Sequence, residues 1–153
     1  MAIEIPEEVR DIINNPESIK VLTTISRDGV PHAVFKGSLK AREGNVLEYL
    51  EFIESSQTNK NMVYSIWFNK TVAIAVLFGD KSFQLKGKVQ RAIIAGAEFE
   101  SRYKEIQKER NIDLSTVYLI DVEEIREESF EKRRTEELEQ HPILQHLDLL
   151  IKN

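Results

Sequence analysis

Alternation of apolar and polar residues with a period of two marks two stretches of the chain, 81–90 and 29–39. In KSFQLKGKVQ (residues 81–90), Phe83, Leu85, Gly87 and Val89 fall on one side of an extended backbone and Gln84, Lys86, Lys88 and Gln90 on the other. That is the pattern of a strand with one face on a core. TVAIAVLF (71–78) is apolar at nearly every position and predicts a strand buried on both faces. Gly79-Asp80 turns it into 81–90, which forms a hairpin at the edge of a barrel or sheet. KVLTTIS (20–26) is rich in β-branched residues and reads as another strand. Asp28-Gly29 then tolerates the positive φ of a tight turn, so GVPHAVFKGSL (29–39) is the return strand, beginning after Pro31. Its alternation puts His32, Val34, Lys36 and Ser38 on one face, and Ala33, Phe35, Gly37 and Leu39 on the other.

VLEYLEFI (46–53) combines Leu and Glu, which suit a helix, with aromatic residues that suit a strand. Following the REGN turn (42–45), it is read as the third strand of a meander. STVYLIDV (115–122) reads as the last strand. Helical periodicity appears at Pro6–Asn14, where Val9, Ile12 and Ile13 share a face. ESSQTNKNM (54–62) is a polar loop leading into VYSIWF, a helix ending near Asn69. A further helix spans Ala97–Arg110 with Asn111 as its C-cap. Residues 123–140 are densely charged, and HPILQHLDLLI (141–151) is an amphipathic helix opened by Pro142. Strands joined by short turns, with helices around them, predict a mainly β fold: a closed or nearly closed antiparallel barrel. Residues 1–122 form the barrel domain; 123–153 form a charged extension packed on the barrel or on a dimer mate.

Composition narrows the class. With 153 residues the chain suits one domain with one substantial core. Its 41% hydrophobic and 31% charged residues are those of a soluble globular protein. No apolar run approaches the roughly 20 residues that span a bilayer. MAIEIPEEVRDII carries acids where a targeting signal needs basic residues, so a cytoplasmic protein without membrane association is expected. The absence of cysteine removes disulfides, zinc-thiolate sites and cysteine nucleophiles. A net charge of −5 speaks against broad nucleic-acid binding, which depends on Lys and Arg.

Common catalytic signatures are missing: there is no GxGxxG, Walker loop, HExxH or GxSxG. The histidines are His32, His141 and His146, too dispersed for ordinary metal-ligand spacing, so no metal site is expected. Thr58, Asn59, Lys60 and Asn61 place a hydroxyl, two amides and an ammonium before a helix, where an oxyanion could also meet exposed N–H groups. The simpler alternative is that Thr58 or Asn59 caps the helix and Lys60 faces water. Lys36 likewise either snorkels to solvent or serves a ligand lying along its strand. Trp67 and Tyr64 pack the helix core or close an interface, the core being the preferred reading.

In this order and spacing the motifs resemble the pyridoxamine 5′-phosphate oxidase-like family of FMN-binding split barrels. The matching run is VLTTISRDGVPHAVFKGSL, a spacer strand, SSQTNKNM before a helix, and TVAIAVLFGDKSFQLKGKV, about residues 18–122 in all. The resemblance implies a Greek-key-like split barrel whose flavin lies along the strand after the turn. It assigns the isoalloxazine to Val34, Phe35, Lys36 and Ser38, and the 5′-phosphate to Thr58, Asn59, Lys60 and Asn61. It also implies a homodimer with the pocket at the two-fold interface. Pyridoxamine phosphate oxidases themselves carry an arginine where this chain has Pro31 and His32, and end in an Arg/His motif that HPILQHLDLLIKN does not match. Oxidation of vitamin B6 is therefore not expected.

The resulting expectation is an FMN-dependent oxidoreductase passing hydride or electrons to an unidentified small molecule, with no residue assigned as catalytic. The competing class is a non-catalytic carrier or sensor that uses the barrel to hold a flavin, a deazaflavin or haem. In the haem case His32, His141 or His146 are the candidate axial ligands. A third possibility is a barrel without cofactor that serves only as an interaction domain.

Overall fold

Residues 3–142 of the computed structural model are described here. The helix expected over 141–151 lies outside them except for His141 and Pro142. In chain order the elements are α1 (Glu7–Asn14), β1 (Ile19–Ile25), β2 (Pro31–Phe35), β3 (Lys40–Ala41) and β4 (Val46–Glu51). They continue with α2 (Gln57–Phe68), β5 (Thr71–Phe78), β6 (Lys81–Ile93), α3 (Ala97–Arg110), β7 (Thr116–Glu127) and α4 (Phe130–Gln140). No helix among the described residues is long and apolar enough to cross a membrane.

The strands form one antiparallel sheet in the order β2-β1-β5-β6-β7-β4-β3. β2 and β3 end the sheet without pairing to each other, so the barrel is split rather than closed. The hairpin strand β6 is central, not at an edge as its alternation suggested. Its curl has a local cause. Register shifts occur at Lys86/Gly87 and Val89/Arg91 where β6 crosses β7, and bulges of this kind bend a strand and tighten its twist. At Gly87 the crossing strand lies so close that an added Cβ would sit 2.1 Å from the Asp121 carbonyl oxygen.

Inside the curl, Leu22, Tyr49, Ile74, Leu85 and Ile120 pack with Met62 of α2 and with Val9 and Ile13 of α1. The C-terminal end of α1 ties to both flanks of the split. The ammonium of Lys20, a buried residue on β1, donates to the Ile13 carbonyl at 2.9 Å. Burial first, and the charge of Lys40 second, lower its pKa from the usual lysine value. The Asn14 amide donates to the Ala41 carbonyl at 3.0 Å and accepts from its N–H at 2.8 Å, continuing the edge of β3.

A second cluster of Leu50, Ile106, Leu114, Val117 and Leu119 lies beneath α3, on the other side of the sheet. α3 covers only the β4–β7 end. Toward β2-β1-β5 the outer face stays open: Phe35 is 77% exposed, beside Ile19 and Leu77, which are also exposed. Strand β5 is thus buried on one face only, against the expectation of two. Its apolar outer residues report an uncovered sheet face. Trp67 is 79% exposed, so the core reading of that residue is also corrected.

Several strand ends move, among them those of β2 and β7. The alternation expected through Leu39 stops at Phe35; the chain then makes a turn closed by the Leu39 N–H and the Lys36 carbonyl at 3.3 Å. β7 continues five residues beyond Val122, and Glu127 pairs with Phe83. The barrel therefore extends past the expected limit of residue 122. The charged segment after it forms α4, which the sequence reading did not assign.

Gly87→Ala is expected to destabilise the protein by about 3 kcal/mol, because a Cβ there meets backbone that must shift. Urea denaturation compared with Gly37→Ala, where an added Cβ meets nothing within 4 Å, measures it.

Candidate functional site

The first turn of α2 is the anchor. Ser56 is the N-cap, accepting the Asn59 N–H on its hydroxyl at 3.0 Å, the usual role of a serine before a helix. The helix therefore starts at Gln57 rather than after Met62. The expected polar loop is its first turn. Consecutive helical residues point about 100° apart, so the four candidate side chains cannot converge on one ligand.

Their positions follow from this. Thr58 and Asn61 are each 1% exposed, and the Asn61 amide donates to the Thr24 hydroxyl of β1 at 3.0 Å while accepting from Gln57 at 2.8 Å. Asn59 donates to the Glu54 carbonyl at 2.8 Å and accepts from the Tyr118 hydroxyl. Lys60 alone of the four is exposed. The four-side-chain cradle is thus corrected to one cation beside a helix N-terminus, whose first N–H groups have no intrahelical acceptors. Arg27, from the β1–β2 turn, joins Lys60 in lining an open groove of about 400 Å³, with Gln57, Tyr64 and Phe68. Asn59 instead lines a larger cavity of about 720 Å³ with Phe52, Ile94, Tyr103, Thr116 and Tyr118.

On the strand side, Val34 pairs with Leu22 and is half-buried, as are His32 and Lys36. Phe35 points to the opposite face. The Ser38 hydroxyl donates to the Leu50 carbonyl at 2.9 Å and accepts from the Leu50 N–H at 3.3 Å, holding the turn after β2 to β4. The Lys36 ammonium lies 3.9 Å from a carboxylate oxygen of Glu51 and 5.5 Å from the centroid of the Tyr49 ring.

Glu51 joins the two segments, and sequence reasoning missed it. It is 2% exposed. Its carboxylate accepts from the Tyr49 hydroxyl at 2.8 Å and from the Ser56 hydroxyl, with Lys36 close by. The signal lay in VLEYLE, where alternation sets Glu51 on the same face as Leu47 and Tyr49. His141, the C-cap residue of α4, is exposed, and His146 lies outside the described residues. No group of three or more metal-ligating side chains occurs among the described residues.

Tyr49 and Tyr118 stack with centroids 6.1 Å apart and planes 11° apart. Burial, then the charge of Glu51, pushes Tyr49 above the ordinary phenol range and Tyr118 up to about 12. The folded pKa values exceed the unfolded value near 10. The stability tied to these neutral phenols is therefore complete below pH 10 and is lost as pH rises toward the folded values. Between pH 10 and about 12, each such tyrosine should contribute up to about 1.4 kcal/mol per pH unit of lost stability. Urea denaturation at pH 9, 10 and 11 should show a flatter decline in Tyr118→Phe than in the wild type.

No family model matches the sequence, and no curated protein matches it. Solved structures do. HupZ from Group A Streptococcus superimposes with a TM-score of 0.68 at 23% identity, covering 82% of this chain and 95% of that one. An FMN-binding protein from Syntrophomonas wolfei gives 0.65 at 15% identity over 81% and 86% of the two chains. A candidate pyridoxamine 5′-phosphate oxidase from Lactobacillus delbrueckii gives 0.62 at 18% identity over 80% and 93%. With its curled antiparallel sheet, its open seam and a helix entering beside β4, the chain has the split-barrel fold of the pyridoxamine 5′-phosphate oxidase-like proteins.

Proposed function

We propose that this chain is a cytoplasmic, homodimeric FMN-binding flavoprotein that passes hydride or electrons between its flavin and a small molecule. One observation carries the reading: on a split-barrel scaffold, the Lys36 segment and the first turn of α2 meet through Glu51. These are the two segments that the resemblance assigns to ring and phosphate.

The donor chemistry fits a phosphate monoester. A dianion is favoured at a helix N-terminus by free N–H groups and the helix dipole. Lys60, with Arg27 across the groove, adds cationic donors. Asn61 acts here by fixing the helix to Thr24 of β1, Thr58 is buried, and Asn59 holds the Glu54 carbonyl. Val34 would offer the ring an apolar wall, Lys36 one ammonium, and the backbone of Phe35 and of the Ser38 turn polar groups, the Phe35 side chain facing away. When bound, the flavin supplies the redox chemistry; the chain's residues place it and set its electrostatic surroundings.

The dimer is supported by the open face of β2-β1-β5, where Phe35, Ile19 and Leu77 are exposed together. Contiguous apolar surface of this kind marks an interaction site.

Purified protein should be yellow, with absorbance near roughly 370 and 450 nm and FMN in the mass spectrum of the released small molecule. Lys60→Ala should weaken FMN binding by about 1.5–3 kcal/mol, the range for a charge-assisted hydrogen bond. Quenching of flavin fluorescence on titration measures this. A colourless protein that takes up no added FMN rejects the proposal, and a red preparation with a Soret band moves the assignment to haem.

Sedimentation should give a dimer that Phe35→Glu converts to a folded monomer. A monomeric wild type rejects that part.

A further inference from the structure

The cavity of about 720 Å³ shares one residue, Val63 of α2, with the groove of Lys60 and Arg27, and is otherwise a different environment. Its volume is that of a site for a small organic molecule. Phe52, Tyr103 and Tyr118 give its walls three aromatic rings, and Leu114 adds apolar surface. Its only charged lining residues are Glu54 and Asp113, both exposed; no Lys, Arg or His lines it. Neither carboxylate has an ion-pair partner among the described residues.

The hydrogen-bond donors of the lining are largely engaged already. The Tyr103 hydroxyl donates to Asp113 Oδ1 at 3.3 Å and accepts from the Gln107 amide at 3.2 Å. Tyr118 donates to Asn59, whose own amide donates to the Glu54 carbonyl at 2.8 Å. These bonds hold both rings in the wall and leave the cavity rich in acceptors and negative charge. Such a lining opposes a carboxylate or phosphate. It attracts a cation through its carboxylates and through the faces of aromatic rings.

We propose that this cavity is a binding site for an organic ammonium with an aromatic body, whose charge is met by Glu54 and Asp113 and whose body packs on Phe52, Tyr103 and Leu114. The site does not depend on the flavin reading, since its lining includes neither Lys60 nor any residue of β2.

2-Phenylethylamine, 2-phenylethanol and phenylacetate share a ring and differ in charge at pH 7, so NMR titration with the three is the test. The ammonium should bind about tenfold more tightly than the alcohol, the combined effect of two carboxylates and a cation–π contact. Phenylacetate should bind more weakly than either, and the ring signals of Tyr103 and Tyr118 should shift with the ammonium. Glu54→Gln combined with Asp113→Asn removes both charges at exposed positions and keeps the shape. In that variant the ammonium should fall to the affinity of the alcohol, while the alcohol itself binds as before. Equal affinities for the three probes, an ammonium affinity unchanged in the double variant, or binding that leaves both tyrosine rings unmoved overturns the proposal. So does a wild type that takes up none of the three. FMN uptake, read separately from flavin absorbance, is untouched by any of these results.

Discussion

Seven strands enclose a core only if the middle of the sheet bends, and here the bend depends on the close passage of β7 over Gly87. Backbone meets backbone there with no room for a side chain, and the register shifts on either side of it turn a flat ladder into a half barrel. The rest follows from that curl. The inner face gathers Leu22, Tyr49, Ile74 and Ile120 into one core. The end of β4 is brought beside the N-cap of α2, and the residue after β2 reaches the same place, so that residues 36, 51 and 56 become neighbours.

The polar chemistry near that meeting point is asymmetric. The cations able to attract an anion, Lys60 and Arg27, are at the surface. The carboxylate of Glu51 is inside, and it is held by hydroxyls rather than by a full ion pair. Surface cations attract over distance and are screened by salt. A buried charge acts locally and is not. The groove cations thus answer to ionic strength, while Glu51 is tied into the fold through Tyr49 and Ser56.

Much of the fold was legible because its elements carry strong local signals. The clean alternation of 81–90, the β-branched 20–26 and the Asp28-Gly29 turn, whose glycine has φ 80°, each determine one element almost alone. Asn69 and Asn111 ended helices as expected, both left-handed. What failed was what depends on neighbours. TVAIAVLF announces apolar faces but not whether anything covers them. Ser56, rather than Thr58 or Asn59, caps α2 because the chain leaving β4 delivers it beside Glu51. The candidate phosphate residues were read as a loop. Once they form a helical turn, geometry sends Thr58 and Asn61 inward, Asn59 toward Tyr118 and Lys60 to the groove. α4 was overlooked because its charges form no apolar stripe, and a helix without one gives periodicity nothing to detect.

The N-terminal helix has a larger part than its eight residues suggest. Its last turn grips β1, the strand beside one lip of the gap, through Lys20 and extends the other lip through the Asn14 amide, so it works as a clasp across an opening that the strands leave unstitched. Lifting it away would strand an ammonium inside without its acceptor and bare the rim of β3 to passing chains. Clasp and barrel are thereby bound to open together, which makes the gap a cooperative part of the molecule rather than a weak line in it.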